Sequence, residues 1–557
     1  MSASSKKKLR KELNAAQMTE RQRQEQKAAK SLKRNTIIFI TAMVLIVCIV
    51  IGALTWNRFG LKGVYYGSIN KDTTAATVGD HTLNTVMLNY YYKDLINEQY
   101  NTWYSSYSSY VNSYVQMLYG LDLTKSIGSQ YYDPDNGITW ADHFVSSALD
   151  EAKSTYALYD AAVKAGFKLS EDDETGIQES IDYMSDMASL YGYSDVDDYL
   201  EAAYGYGSDL NSYSEYIRVG SYAMAYARDY IDSLEYDDAA LREYEKDHFD
   251  EFSSFSYRYY HINHSSYLAA KAEGDTSAYT EDEKEAARVA AKAAADALAK
   301  ASSTDDLDKQ IAELPFNKEK ENVSSIKMEN TLYGSVTSVM RDWIVEAGRE
   351  AGDTTVIAST TTNTGDDGKE VTVVTGYYVV FFEGRNDNEQ HLANVRHLLV
   401  KFEGGTTDDD GNTVYSDDEK KKAKDEADGY LKTWKEGKAD EDSFIALVKE
   451  HSDDSSASEG GLFEDITPDS PYVENFLNWS IDESRVKGDT AVIETEHGYH
   501  VMYYVGDDEL TYRDYMITQE LENEDYTTWY EAIVEAAKLV EGDTSGLNRD
   551  LVLSYGY

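Results

Sequence analysis

Two histidines in this chain sit where an imidazole can do defined chemistry. His397 lies in Val395-Arg396-His397-Leu398-Leu399-Val400, and His500 lies in Gly498-Tyr499-His500-Val501-Met502-Tyr503-Tyr504. Among apolar and aromatic neighbours a ring holds one tautomer and makes directional hydrogen bonds. Between them come His451-Ser452-Asp453-Asp454-Ser455-Ser456, the pair Gly460-Gly461, and two aromatics four residues apart, Tyr472 and Phe476. The competing reading is a mutually satisfied buried histidine pair that only fixes the fold. His451 and His497 read as exposed or peripheral. They have no metal-ligand partner at helical spacing, and no nucleophilic triad can be built from these residues.

The elements that must position these side chains follow from the local patterns. A strand over 394–402 is followed by an acidic Gly-rich loop over 403–414, helices over 416–436 and 441–450, the Gly460-Gly461 turn, a helix over 471–479, and a closing strand over 491–505. Tyr472 and Phe476 then share one face of the third helix. Strands at both ends with helices between them predict an α+β unit whose first and last strands are neighbours, which brings His397 beside His500.

The same signals occur earlier in the chain. Ser256-Tyr257-Arg258-Tyr259 answers Asn394-Val395-Arg396-His397, and Gly376-Tyr377-Tyr378-Val379-Val380 answers Gly498-Tyr499-His500-Val501-Met502. Trp343 stands nine residues before Gly352, as Trp479 does before Gly488. Two copies of one unit are therefore predicted. The first has tyrosine, Tyr259 and Tyr378, at both histidine positions, and tyrosine cannot reproduce the paired donor and acceptor of neutral imidazole. It reads as inactive, with a polar hairpin or loop inserted at Ser359–Glu370.

Charge bounds the partners. The chain has 557 residues and a net charge of -49, which argues against nucleic acid because the phosphates would be repelled. Residues 1–34 carry 11 Lys or Arg against 3 Glu, so the remainder carries -49 - 8 = -57. From Thr36 to Leu54 the chain is almost wholly apolar, long enough for a membrane-spanning helix, and the basic flank places its amino terminus in the cytoplasm. An uncleaved signal anchor is favoured. A cleaved signal would want a shorter apolar core and a small-residue cleavage site, and a lipoprotein signal would want a small residue where Val47 precedes Cys48, the only cysteine.

The region 62–250 reads as helical after two short strand pieces about Gly79-Asp80. One helix is expected to align Trp103, Tyr107, Tyr110 and Tyr114. Another is expected over Thr139–Ala165, ended by Gly166, and Ser170-Glu171-Asp172-Asp173 has the form of a capping box. The tyrosines concentrated here either pack the domain's own core, the favoured reading, or form an aromatic cradle for unfolded chains. Asp133–Gly137 suggests a calcium loop, but its twelfth position is Phe144, so a turn is expected. Beyond Gly506, Thr511–Val540 reads as an amphipathic helix.

Arg396-His397-Leu398-Leu399-Val400, the helix Phe444–Leu447 running into Glu450–Asp454, Gly460-Gly461, and Thr495-Glu496-His497-Gly498-Tyr499-His500-Val501 together resemble the parvulin family of peptidyl-prolyl isomerases. The resemblance implies that His397 and His500 are the paired core histidines of the active site. It places Asp454 where the family has Cys or Asp, brings Thr495 into their polar network, and puts Tyr472 and Phe476 at the two apolar positions of the proline pocket. No cofactor or metal is implied. Tyr472 departs from the usual Met, and Leu462-Phe463 replaces the usual Asp-Leu-Gly. As a whole the chain resembles membrane-anchored extracytoplasmic foldases of the PrsA and SurA kind, in which the carboxy-terminal segment returns to complete the chaperone domain. The expected division is a basic cytoplasmic tail (1–35), a transmembrane helix (36–56), a helical chaperone-like domain (62–250), a degenerate parvulin-like unit (255–385), the parvulin-like unit proper (393–506) and a carboxy-terminal helix and tail (507–557). The expected partners are newly exported or unfolded polypeptides and, through one helix, the membrane. The rival expectation is a non-catalytic holdase or binding module.

Overall fold

The computed structural model describes residues 62–268, 278–364, 370–408 and 412–553. They fall into two units, one built from the chain up to Glu235 together with Leu521 onward, the other from Tyr236–Glu520. The tail and transmembrane helix expected at 1–35 and 36–56 lie outside the described residues. Among those described, no helix is long and apolar enough to cross a membrane.

The first unit begins with α1 (Lys62–Asp72), β1 (Thr74–Val78), β2 (His81–Asn84), α2 (Thr85–Tyr107) and α3 (Val111–Tyr119). After the hairpin β3 (Tyr131–Asp133) and β4 (Ile138–Thr139) come α4 (Trp140–Ala165), α5 (Glu171–Leu190), α6 (Val196–Tyr204) and α7 (Leu210–Ser233). Thr139 and Ser170 open α4 and α5 through reciprocal bonds with Asp142 and Asp173, and Gly166 stops α4 at φ 72°. Asp133–Gly137 is the turn of the β3–β4 hairpin, closed by the Asn136 side chain donating to Asp133 (2.6 Å). Some of the tyrosines here are core: Tyr90, Tyr92, Tyr199 and Tyr213 are fully buried in one cluster with Phe144, Ala148 and Tyr156, whereas others, Tyr110 and Tyr131 among them, are exposed.

One expectation fails in this unit. Trp103, Tyr107, Tyr110 and Tyr114 do not line a single helix, because the chain breaks at Ser108 (φ 48°). From there α3 doubles back, stacking Tyr114 on Tyr107 (5.0 Å) and setting Tyr119 against Trp103 (5.7 Å). The break falls in a serine-rich run, Ser105-Ser106-Tyr107-Ser108-Ser109, whose hydroxyls compete with the helical ladder; Ser106 already donates back to the Thr102 carbonyl (2.9 Å).

The second unit opens with α8 (Asp238–His248). The first copy then comprises β5 (Ser254–Asn263), α9 (Glu281–Leu298), α10 (Thr304–Ala312), β6 (Ile326–Leu332), α11 (Ser338–Ile344), β7 (Thr354–Thr364) and β8 (Glu370–Asn386). The second comprises β9 (His391–Lys401), a small hairpin β10 (Thr406–Thr407) and β11 (Thr413–Val414), α12 (Asp417–Glu436), α13 (Glu441–His451), β12 (Leu462–Ile466), α14 (Glu474–Ser480), β13 (Thr490–Thr495) and β14 (Gly498–Thr511). Their four-stranded antiparallel sheets have matching orders, β6-β5-β8-β7 and β12-β9-β14-β13. The registers match as well. Tyr259 faces Val380 and His261 faces Tyr378, as His397 faces Met502 and Leu399 faces His500. Of the polar insertion at Ser359–Glu370, the described part, Ser359–Thr364 and Glu370, lies in the β7–β8 ladder.

Three details of the second copy differ from expectation. The closing strand is a hairpin, β13 and β14, turned at Glu496-His497, and Gly498 (φ 153°) opens β14 where a Cβ would stand 2.1 Å from the Val400 carbonyl oxygen. The loop over 403–414 contains a two-residue ladder. Leu462–Ile466 forms an edge strand that its pattern hides, since two adjacent carboxylates, Glu464 and Asp465, interrupt the alternation and Asp465 sits at φ 55°. Finally α15 (Tyr512–Ala536) carries the chain back to the first unit, where β15 (Leu539–Glu541) pairs with β1 to complete a sheet of order β15-β1-β2.

Candidate active site

His397 and His500 stand on neighbouring central strands, two positions apart along the ladder and on one face. Their Nδ1 atoms are 2.9 Å apart, and the side chains are buried, 2% and 5% exposed. The His500 Nε2 lies 2.9 Å from the Thr495 hydroxyl at the end of β13, and Thr495 accepts the His497 backbone N–H (3.2 Å). On the other side, His397 Nε2 faces Asp454 Oδ1 at 3.6 Å and the Ser456 hydroxyl at 3.5 Å.

The segment carrying Asp454 is laid along β9 by specific bonds. The Ser452 hydroxyl accepts the Leu399 N–H, Asp453 donates its N–H to the Leu399 carbonyl, and the Asp453 carboxylate accepts the Lys401 N–H. Asp454 then caps the short helical turn Ser455–Glu459, accepting both the backbone N–H (2.9 Å) and the hydroxyl (2.6 Å) of Ser456. The glycine pair docks this turn: Gly461 has φ 64°, its carbonyl accepts the His397 N–H (2.9 Å), and a Cβ there would stand 2.1 Å from the His397 carbonyl oxygen.

One order of protons satisfies every member. Thr495 donates to His500 Nε2, His500 Nδ1–H donates to His397 Nδ1, and His397 Nε2–H points at the Asp454–Ser456 pair. Electrostatics agree with it. Burial, with the His397 ring second, pulls His500 down to about 3, so it is neutral. The facing His397 ring, outweighing the opposing cost of burial and helped by the Ser456 hydroxyl and N–H, holds the Asp454 carboxyl well below the usual carboxylate range. Asp454, with its side chain 25% exposed, is where this polar chain comes nearest to solvent.

Beside the histidines stands an aromatic cluster. Phe463 on β12, Phe476 on α14 and Tyr472 just before that helix have centroids 5.3–5.6 Å apart, all in edge contact. His397 packs on Phe463 (5.0 Å) and Phe476 (5.3 Å), and His500 packs on Phe476 (5.7 Å). Phe476 is buried, while Phe463 and Tyr472 are half-buried. Tyr472 is not on the helix with Phe476: its N–H bonds the Ser470 carbonyl (2.8 Å) in a tight turn around Pro471, and α14 starts only at Glu474. The rings meet all the same. Two contributors went unread in the sequence. Phe463 appeared only as a departure after the glycine pair, and Ser456 was passed over although an Asp two residues before a Ser signals a local side-chain turn.

The site thus has a dry aromatic wall that suits a non-polar ring and a fixed polar chain ending in an ionised carboxylate. Residues 397–506 match the family model of the rotamase, or PPIC-type PPIASE, domain. These residues are a PpiC-type peptidyl-prolyl isomerase domain. Among solved structures, the chain is similar to the peptidylprolyl isomerase PrsA from Bacillus anthracis (18% identity over 27% of this chain and 59% of that one, TM-score 0.16). It is likewise similar to PrsA from Bacillus subtilis (22% identity, 26% of this chain and 47% of that one, TM-score 0.17). A third similarity, to a chain from work on PEB4 and the periplasmic protein Cj1289, SurA-like chaperones of Campylobacter jejuni, covers 68% of this chain and 89% of that one at 12% identity and a TM-score of 0.13. The chain therefore spans less than two thirds of either PrsA. At these TM-scores the superpositions carry no argument, and the rotamase domain stands on the family match and its own geometry. Comparison with curated proteins finds no match.

Proposed function

We propose that the protein is a membrane-anchored, extracytoplasmic peptidyl-prolyl cis–trans isomerase that assists the folding of exported proteins. The observation that carries the catalytic part is the hydrogen-bonded series Thr495–His500–His397, facing Asp454 and lined by Phe463, Tyr472 and Phe476, inside the rotamase-matched segment. The anchor and its orientation are supported by the apolar run from Thr36 to Leu54 behind its basic flank.

Rotation about a prolyl amide must overcome a barrier of about 18–20 kcal/mol set by resonance, and takes tens to hundreds of seconds unaided. No covalent bond to the protein is needed. A site that binds the twisted imide better than the planar one lowers the barrier. The aromatic wall holds the prolyl ring away from water. Planarity is maintained by a resonance form with negative charge on the carbonyl oxygen, and an ionised carboxylate near that oxygen disfavours this form relative to the twisted one. Asp454 is the exposed, ionised end of the polar chain and takes this role. His397 and His500, almost wholly buried, are positioning residues that hold Asp454 and Ser456 from behind.

The test is a protease-coupled assay on a prolyl peptide with the full chain and with His397→Ala. Turnover above background that falls at least about tenfold in the variant, a loss of about 1.4 kcal/mol of transition-state stabilisation, supports the proposal. No turnover in the wild type rejects it. A second reading, a holdase that binds prolyl segments without turning them over, draws on one observation: the Tyr472 ring lies across Phe463 and Phe476 at the mouth of the cluster. Slowed aggregation of an unfolded protein without isomerase turnover would select it.

A further inference from the structure

The β7–β8 hairpin of the first copy is longer than the sheet it belongs to. Its root is anchored: Val356 packs with Ala291 and Ile311, and Ile357, on the other face, packs with Met340 and Ile344. Strand β5 stops at Asn263 opposite Gly376, so residues 370–374 of β8 pair with β7 alone: Thr360 faces Val374, Thr361 faces Val373, Thr362 faces Thr372 and Asn363 faces Val371. This end is a two-stranded ribbon. Val371 (55% exposed), Val373 and Val374 lie open to solvent on it, and two strands alone are marginal in water. Strand β7 also ends the order β6-β5-β8-β7, so the half of its N–H and C=O groups that points away from β8 meets no strand.

The second copy closes the same edge. Its counterpart strand β13 has six residues, carries the charged Glu494, and has the Glu494 carbonyl capped by the Asn475 side chain from α14 (2.8 Å). Helices α11 and α14 correspond residue for residue, counted from Trp343 and Trp479, which puts Val339 in the place of Asn475 and Ala358 in the place of Glu494. Donor and charge are both gone, and Val339 is 40% exposed. Strand β7 runs for 11 residues, Thr354–Thr364, with neither charge nor proline, and Val371–Phe382 on β8 is equally uncharged. Short length, charge and proline are common guards against edge-to-edge pairing, and β7 has none of the three.

We propose that β7 is a self-association edge, on which two copies of this chain pair β7 against β7, antiparallel, about a two-fold axis, so that one sheet runs through both. Two equal edges satisfy each other's outward groups under a single symmetry operation. Charge selects the occupant. Chains of net charge -49 repel at long range, and an uncharged strip is where two of them can pair without like charges directly opposite each other. The Thr-rich strand suits cross-strand hydroxyl pairs, as Thr362 and Thr372 already make within the ribbon (3.1 Å). A foreign strand would find backbone groups but no pockets, because Thr360–Asn363 are exposed on both faces, and edge recognition of other chains takes its specificity from pockets.

The experiment is sedimentation velocity of the full chain in detergent, at low and high salt, beside two double variants: Thr360→Lys with Thr362→Lys, and Thr360→Glu with Thr362→Glu. The wild type is expected to show a monomer–dimer equilibrium that tightens as salt screens the repulsion between copies. Each variant alone should dimerise at least about tenfold more weakly, and an equimolar mixture of the two should recover the dimer, since Lys then faces Glu. Mixing separates lost pairing from lost folding, because an opposite charge does not repair an unfolded ribbon. Prolyl-peptide turnover should be the same in all three proteins, so the result stands or falls apart from the isomerase reading. A wild type that stays monomeric at both salts overturns the proposal, as do variants that dimerise like the wild type or a mixture that fails to recover. A monomeric wild type that binds a Val/Thr-rich extended peptide, with binding lost in both variants, also overturns it, since the edge would then serve a foreign strand.

Discussion

Asp454 does two jobs with one carboxylate, capping a turn and facing a histidine, and the two can be separated by substitution. Asp454→Asn keeps the cap acceptor but removes the charge, so turnover should fall about tenfold or more in the prolyl-peptide assay while the thermal midpoint changes little. Asp454→Ala should lower both. His500 makes a pH prediction with a definite sign. Its folded-state pKa, about 3, lies below the ordinary value of about 6.5, so the unfolded chain binds more protons in that window. The stability gained by keeping the ring neutral is fully present above pH 6.5 and is lost as pH falls toward 3. In denaturant titrations from pH 7 to pH 4, the wild type should lose about 3 kcal/mol more than a His500→Phe variant. Tyr472 supplies a further test. Replacing it with the smaller, flexible Met opens the mouth of the aromatic cluster, and kcat/KM should rise by up to about tenfold if the ring obstructs the pocket. A fall instead would mean that the phenol ring itself holds the substrate.

At the scale of elements, the site depends on a turn docked against a strand. Gly461 accepts no Cβ without collision with the His397 carbonyl, and its φ of 64° already strains any L-residue. Gly461→Ala should cost at least about 2 kcal/mol in chemical denaturation and pull Asp454 away from His397. Gly488, also at positive φ but with open space around it, is the control for backbone strain alone. The strand pair β9–β14 and the helices α12 and α13 were legible because alternation, apolar spacing and capping residues act over a few neighbouring positions. Ser416 and Glu419 form a capping box at the expected start of α12. Edge strand β12 and the non-helical place of Tyr472 were not legible, since each is decided by what it packs against. Leu462 and Phe463 pair with Arg396 and Val395, and the turn at Pro471 points Tyr472 at Phe463. The α2–α3 break shows the same limit, with a helical period that continues in the sequence through a serine-rich run where the backbone does not follow.

At the scale of the molecule, the two copies in the second unit are tied together at a single buried arginine. Arg513, fully buried at the start of α15, donates to the Asp387 carbonyl (2.6 Å), Glu245 (3.2 Å), the Phe249 carbonyl (3.0 Å) and the Ser253 hydroxyl (2.9 Å), and lies over the Phe249 ring (4.1 Å). These partners come from the entry to the first copy and the linker between copies, while Arg513 follows the end of the second. Arg513→Ala should therefore cost about 3–5 kcal/mol, since it leaves the Asp387 and Phe249 carbonyls without this donor and Glu245 with Arg242 alone, and should split one unfolding transition of the second unit into two by calorimetry.

By itself the sequence determined two copies of one α+β unit and the histidines that only the second carries, because these rest on local periodicity and on side-chain types at fixed spacing; the parvulin character of the second copy came from resemblance. The return of the carboxy-terminal segment to the first unit followed from resemblance alone and is made by β15 against β1. Only the tertiary structure decided how the polar chain connects. The 2.9 Å meeting of His397 and His500, the reach of Thr495 to one end and Asp454 to the other, and the third ring, Phe463, depend on strand register and on a glycine-docked turn across more than 100 residues of chain (|i−j| 103 for the histidines). The exposure of Tyr104, Tyr110, Tyr114 and Tyr119 was equally hidden, for a tyrosine in a core and a tyrosine in water have the same letter, and only packing tells them apart.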